Sequence, residues 1–453
     1  MLKLRLYYRS PETGQEELVE AALELPGMTA RERAALPRHP EVAEQVASAI
    51  IAVARKEAMQ KLLLDDEAGA LVMLRQALQT PDLGDFDART LRDLIATIER
   101  GEHSSGHKKA AMHGHGHGRG STMLKQSGGE RVLNALIRRG QIPLQEGPLL
   151  TTSPPVTRGG QYRMRGMLLG LVFGESLGQT RTWSDILRLG KPGQAEGSML
   201  AMATLACLAE EGELNPVLLS QALAGTAVPR PSHTFCMMRQ RIGMPWFELG
   251  SHSAGCGALR RIAPVLALHA RQSTRALWSD VAVACLLTHR DSSALASCLG
   301  FAALLWDLTN MGAPPDPEWF SQRFLEAMEG LETSQHYEAQ ARRFDGWKGR
   351  LSDFVRLALP DARSRGLSAA QAMREWGSGP YLLELVPSFL FVLERHADNP
   401  PEALRQATRG TMDPSSLGAL VGAALGALYG PFPGIKVERP VAEEIDRCLG
   451  LLA

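Results

Sequence analysis

Several things are scarce in this 453-residue chain, and each scarcity closes off a class of function. Net charge is absent: 49 Lys and Arg balance 49 Asp and Glu. Bulk electrostatics therefore gives no reason to expect nucleic acid or an acidic membrane as partner. Paired cysteines are missing too. Cys207, Cys236, Cys256, Cys285, Cys298 and Cys448 are scattered, with no CxxC. That pattern fits reduced thiols in a cytoplasmic protein better than a disulfide frame or a zinc site. Long apolar runs are also lacking. The first ten residues, MLKLRLYYRS, have no signal-peptide core, and the most apolar segment, Leu417–Tyr429, falls short of the roughly 20 residues that span a bilayer. What remains is an ordinary globular composition, 44% hydrophobic and 22% charged, at a length that suits more than one domain.

Strand-like alternation is confined to the start. Leu2, Leu4 and Leu6 alternate with Lys3, Arg5 and Tyr7, the period of a half-buried strand. Ser10-Pro-Glu-Thr-Gly14 reads as a turn, and Glu17–Leu25 as the return strand. Val42, Val46, Ile50, Val53 and Ala54 form the apolar stripe of a helix over 40–64. Two more helices are expected at Ala68–Leu78 and Ala88–Ile98. Residues 1–100 thus form a small α+β module. Residues 101–129 are Gly, Ser, His and Lys with little to bury, and read as a flexible linker. Five of the 12 histidines fall there, at His103, His107, His113, His115 and His117; His-x-His-x-His suits a transition metal, and the plainer reading is a basic tether that binds metal only adventitiously.

From residue 130 to the end the pattern is helical nearly throughout. After a short helix at Glu130–Arg139, the periodicity predicts helices at 163–178, 197–211, 215–224, 256–270, 277–287, 291–308, 317–330, 334–358, 368–375, 380–396, 400–408, 414–429 and 439–451. Two of them carry glycine every fourth residue: Gly166, Gly170, Gly174 and Gly178 in one, and Gly418, Gly422, Gly426 and Gly430 along the other. Each glycine costs a helix interior about 1 kcal/mol against alanine. Eight of them need a compensation, and close backbone approach between two central helices supplies it. The second helix begins at Asp413-Pro414, an N-cap followed by a proline whose missing N–H costs nothing there.

Four stretches of this region occur in a telling order: RMRGMLLGLVFGESLG, GSHSAGCGALRRIAPVLAL, LLTHRDSSALASCLGFAALL and DNPPEALRQATRGTMDPSSLGALVGAALGALYG. With WGSGPYLLELVPSFLFVL before the last, they resemble the ADP-ribosylglycohydrolase family, the dinitrogenase-reductase-activating enzymes included, over residues 160–450. The resemblance implies an all-α domain with a dinuclear magnesium site that cleaves ADP-ribose from an acceptor. The LKLRLYYRSPETG hairpin and the ARKEAMQKLLLDDEAGALVMLRQAL helix pair resemble the region that follows a von Willebrand A fold. They imply an appendage over residues 1–100 that meets a protein partner.

Against the family pattern, the first metal motif, Thr-Asp-Asp-Thr, falls on Ala195, Glu196, Gly197 and Ser198. The last motif keeps Asp413, but its second acid is Ser415 and its hydroxyl position Ser416. Glu196 and Asp413 are therefore the candidate catalytic acids, and with Ser415 and Ser416 a vestigial metal set. Neutral hydroxyls do not supply carboxylate charge to Mg²⁺, so loss of the dinuclear site is expected. Asp413 has a sufficient alternative role as the helix cap. The candidate ligand contacts implied by the family are Ser253, Gly255, Cys256 and Gly257, where Cys256 replaces the usual Asn, followed by Arg261, His289 and Glu175. Arg260, next to Arg261, adds a cation where the family has an apolar residue. No Cys/His/Asn arrangement surrounds Cys256, so little supports a thiol nucleophile. The expectation is a catalytically impaired protein that binds ADP-ribose or a related nucleotide, or assembles with a partner. An active divergent hydrolase and a purely structural protein are the alternatives.

Overall fold

The computed structural model describes residues 2–9, 16–23, 67–79, scattered positions between 88 and 99, and 128–453 apart from 158, 180–194, 230 and 433. The chain divides into two units, Met1–Met123 and Leu124–Ala453. In the first, β1 (Leu2–Arg9) and β2 (Glu16–Leu23) pair antiparallel, in register from Leu2 opposite Leu23 to Arg9 opposite Glu16. Helix α1 (Glu67–Ala77) buries Ala70, Leu74 and Ala77. The helix expected over 40–64 and the histidine-rich segment through residue 127 lie outside the described residues.

The second unit is helical. After α2 (Gly128–Arg138) it is built around two antiparallel helices, α3 (Gly160–Gln179) and α15 (Pro414–Tyr429). The two glycine stripes meet. Gly166 faces Gly426 and Gly430, Gly170 faces Gly422, Gly174 faces Gly418, and Gly178 faces Pro414. A Cβ at Gly166, Gly170, Gly174, Gly178, Gly418, Gly422 or Gly426 would overlap backbone of the other helix. The helix-propensity cost of each glycine is thus offset by main-chain packing that no other residue permits.

The remaining helices wrap this pair: α4 (Glu196–Glu211), α5 (Pro216–Gly225), α6 (His233–Gln240), α7 (Ala263–Leu268), α8 (Ala276–Leu286), α9 (Ser292–Leu308), α10 (Trp319–Met328), α11 (Leu351–Ser364), α12 (Ala369–Trp376), α13 (Leu382–His396), α14 (Pro400–Thr408) and α16 (Arg439–Leu452). Helix α9 buries every residue but Asp307, and α13 buries Leu382 through Glu394. Helices apolar all round belong in a core, and these join the glycine pair there. Helices α11, α12 and α16 are amphipathic and lie outside. Among the described residues no helix is long and apolar enough to cross a membrane.

Three local expectations need correction. The span 334–358 is not one helix. It holds a two-stranded ribbon, β3 (Tyr337–Glu338) with β4 (Lys348–Gly349), and α11 starts only at Leu351. The Asp345-Gly346 pair, with Gly346 at φ +76°, turns the chain there. The span 256–270 is a 3-10 turn, Cys256–Arg261, followed by the short α7. Helix α6 was not expected from periodicity, although Ser232 caps it in the usual way, its hydroxyl accepting from Phe235 N–H at 3.3 Å.

Candidate functional site

The antiparallel register sets the C-terminal end of α3 beside the N-terminus of α15, because Gly178 packs on Pro414. A cleft of about 440 Å³ opens here. One wall is the 253–257 loop and the next residue down its turn, Arg260. His289, Asp413 and Ser416 close the floor, and Ser232–Thr234 with Pro380 and Tyr381 form the rim.

Backbone bonds fix the loop. Cys256 N–H donates to Pro380 O at 3.0 Å, and Leu382 N–H donates to Ala254 O at 3.0 Å. The segment it leans on is shaped by a buried acid. Glu384 accepts from Gly379 N–H at 2.8 Å, and a Cβ on Gly377 (φ +90°) would strike its carboxyl group. Ser378, in that turn, anchors the start of α15. Its carbonyl takes Asp413 N–H and its hydroxyl takes Met412 N–H, both at 2.9 Å.

His289 approaches the loop from below, and Gly257 is what admits it: a Cβ there would meet the ring at Cε1. Arg261 Nη2 donates to Thr288 Oγ1 at 2.5 Å and to Ala284 O at 2.8 Å. Thr288 Oγ1 lies 2.7 Å from His289 Nδ1. A hydroxyl has two lone pairs and one proton, so Thr288 accepts from Arg261 and has its proton to give to the imidazole. With Thr288 Oγ1 donating to Nδ1, the assigned tautomer carries hydrogen on Nε2, on the side of the ring toward Gly255 and Gly257. The ring is 1% exposed. Burial, then the charges of Arg261 and Arg260, push it down to about 3, so it is neutral across physiological pH. Arg261 itself is buried behind His289 and does not line the cleft.

The acids are committed to other partners. Glu175, at 0% exposure, accepts from Gly197 N–H at 3.2 Å and from Ser198 through both N–H and hydroxyl. It thereby caps α4, whose own N-cap position holds Ala195 and offers no acceptor. Glu196 accepts from the Ser232 hydroxyl at 2.7 Å and from Ser232 N–H. Arg260 bridges the two, with Nη1 3.0 Å from Glu175 Oε1 and Nη2 3.7 Å from Glu196 Oε1. Burial alone would lower the Arg260 guanidinium, but the facing acids, Glu175 foremost, outweigh it and raise its affinity for the proton. Neither Glu175 nor Glu196 lines the cleft, and neither does Ser415.

Asp413 is split between two roles. Its Oδ1 accepts from Ser416 N–H at 3.1 Å, the helix cap, while Oδ2 lies 3.9 Å from Cys256 Sγ. Burial pushes the Cys256 thiol up to about 11, so it stays protonated and is a poor nucleophile at neutral pH. Ser253, Gly255, Cys256, Gly257, His289, Asp413 and Ser416 are thus brought to one cleft. Sequence reading missed Ser232, which holds Glu196, and Tyr381 at the rim. The Pro231-Ser232 start of α6 was the available signal for Ser232.

Magnesium takes near-octahedral oxygen ligands and draws heavily on carboxylates. Here Glu175 and Glu196 are occupied by N–H and hydroxyl donors, and a guanidinium stands between them. No group of three or more His, Cys, Asp or Glu side chains gathers as a metal site among the described residues. The donors present do not fit a dinuclear magnesium centre.

The uncharacterized protein YegU of Escherichia coli (strain K12) is 24% identical over 264 residues, covering 55% of this chain and 76% of its own. A solved structure titled "ADP-ribosylglycohydrolase-related protein complex" covers 64% of this chain and 97% of its own, at 20% identity and a TM-score of 0.44. The model of the ADP-ribosylglycohydrolase family matches residues 158–433, more than half the chain, and leaves the first hundred residues and their von Willebrand A-neighbour resemblance without support. The glycine-paired helices, the 253–257 loop and the Asp413 cap all lie within that match, and the chain belongs to the ADP-ribosylglycohydrolase family.

Proposed function

We propose that the cleft binds ADP-ribose or a closely related nucleotide and that its hydrolytic power is impaired. One observation carries this reading: Arg260 bridges Glu175 and Glu196 while the 253–257 loop and His289 still line an open cleft. Water activation by an ion needs free carboxylates, and these two are engaged. Nucleotide binding needs close backbone approach and fixed donors, for which Gly255 and His289 Nε2–H serve.

A second reading is kept by Asp413. Its Oδ2 lies 3.9 Å from the Cys256 thiol, and the side chain lines the cleft, so a carboxylate faces the ligand space. In a divergent hydrolase it acts as the base. Release of ADP-ribose from modified arginine, serine and nucleic-acid acceptors separates the two. Turnover that Asp413→Ala abolishes establishes the hydrolase, and binding without turnover establishes the impaired protein. No binding at all leaves a structural role, in which residues 1–100 contact a protein partner. All six cysteines are unpaired thiols, which suits the reducing cytoplasm assigned in this reading.

A further inference from the structure

We infer that Arg260 is the resident cation of this cleft, its guanidinium standing among Glu175, Glu196 and Asp413 in place of a divalent ion, so that ligand binds here without metal. The inference rests on the nucleotide-binding reading only for the identity of the ligand.

Charge accounting leads to it. Glu175 is fully buried, and a buried carboxylate needs a compensating charge as well as hydrogen bonds. Its other donors, Gly197 N–H and Ser198, are neutral. Among the described residues the Arg260 guanidinium, at 3.0 Å, is the cation bonded to it, and the same group reaches Glu196 at 3.7 Å. Its side chain is 14% exposed, where it meets the cleft. Unlike a lysine, it cannot give up its proton, and its planar fork engages one acid with each terminal nitrogen. A bound divalent ion would have to displace that fork and take on the same carboxylates. Arg260 Nε is buried with no partner among the described residues. Two nitrogens are thus used on the acids, and a third donor is left on a side chain that lines the ligand space.

The inference predicts a swap: remove the guanidinium, and a divalent ion takes its place. Wild-type protein, Arg260→Met and Arg260→Lys are titrated with Mn²⁺ alone, following free Mn²⁺ by electron paramagnetic resonance and the unfolding midpoint. Any ion held by the histidines of 103–117 is common to all three. Arg260→Met is expected to take up Mn²⁺ beyond the wild-type level and to show a Tm that rises with Mn²⁺. Arg260→Lys, which keeps the charge, is expected to match wild type. If Arg260→Met does not fold, Arg260→Gln replaces it, and folding of either only with Mn²⁺ also supports the swap. The inference is overturned if the variants fold and take up no more Mn²⁺ than wild type. Variants that stay unfolded with and without Mn²⁺ overturn it too, as does wild-type Mn²⁺ uptake that Glu175→Gln removes. No nucleotide is present, so a failure here is distinct from a failure to bind ADP-ribose.

Discussion

Gly170 and Gly422 lie against each other across the antiparallel α3–α15 pair, each close enough that a Cβ would overlap the other's carbonyl group. The same contact repeats at Gly166–Gly426 and Gly174–Gly418 and ends where Gly178 meets Pro414. It sets the register of α3 on α15, and so the position of Glu175 relative to Asp413.

Adding a methyl at this contact forces the helices apart. Gly170→Ala or Gly422→Ala is expected to cost about 3 kcal/mol, at the high end for overpacking, because backbone and not a flexible side chain must yield. Gly450→Ala on α16 meets open space and is expected to stabilise by about 0.5–1 kcal/mol. Urea denaturation of the three variants checks both signs.

Removing the charge of Glu175 while keeping its shape tests the buried pair. Glu175→Gln removes the nearer of the two acids that Arg260 bridges and weakens the cap of α4. A loss of about 3 kcal/mol is expected, read from the denaturant midpoint at pH 7.

The buried imidazole sets an acid limb. His289 is held at about 3 in the folded chain against its ordinary 6.5, so the unfolded chain binds the extra proton between those values. Its contribution is complete above about pH 6.5 and is lost as pH falls toward 3. In His289→Asn that component disappears. The stability difference between wild type and variant is expected to shrink steadily as pH is lowered through this window, measured by denaturation at each pH.

Cys256 is expected to resist alkylation. Its thiol is buried and pushed up to about 11, whereas Cys207 and Cys236 are part-exposed. Iodoacetamide at neutral pH should mark Cys207 or Cys236 first, by peptide mapping.

Much of the fold is legible from local chemistry. Helices α14 and α15 run over the expected 400–408 and 414–429, and Asp413 caps the second as expected. The glycine stripes named their own pairing, because close backbone contact compensates for glycines repeated along two helices. The 334–358 ribbon was misread because its apolar spacing outweighed the Asp345-Gly346 turn signal. At the candidate site, local pattern does not reveal which partner each side chain takes. Arg260 is 85 residues from Glu175, and Ser232 is 36 from Glu196. Arg261 matched the family pattern, yet packing places it behind His289. Which carboxylate is free and which is spoken for is decided by tertiary contacts that no local pattern encodes.

The central claim is that the cleft holds nucleotide with no metal. Calorimetric titration of ADP-ribose into the full chain, once in Mg²⁺ and once in EDTA, tests it most directly. Equal affinity in both, lost in Gly257→Val, is the predicted result. Binding that appears only with Mg²⁺, or none in either buffer, contradicts it.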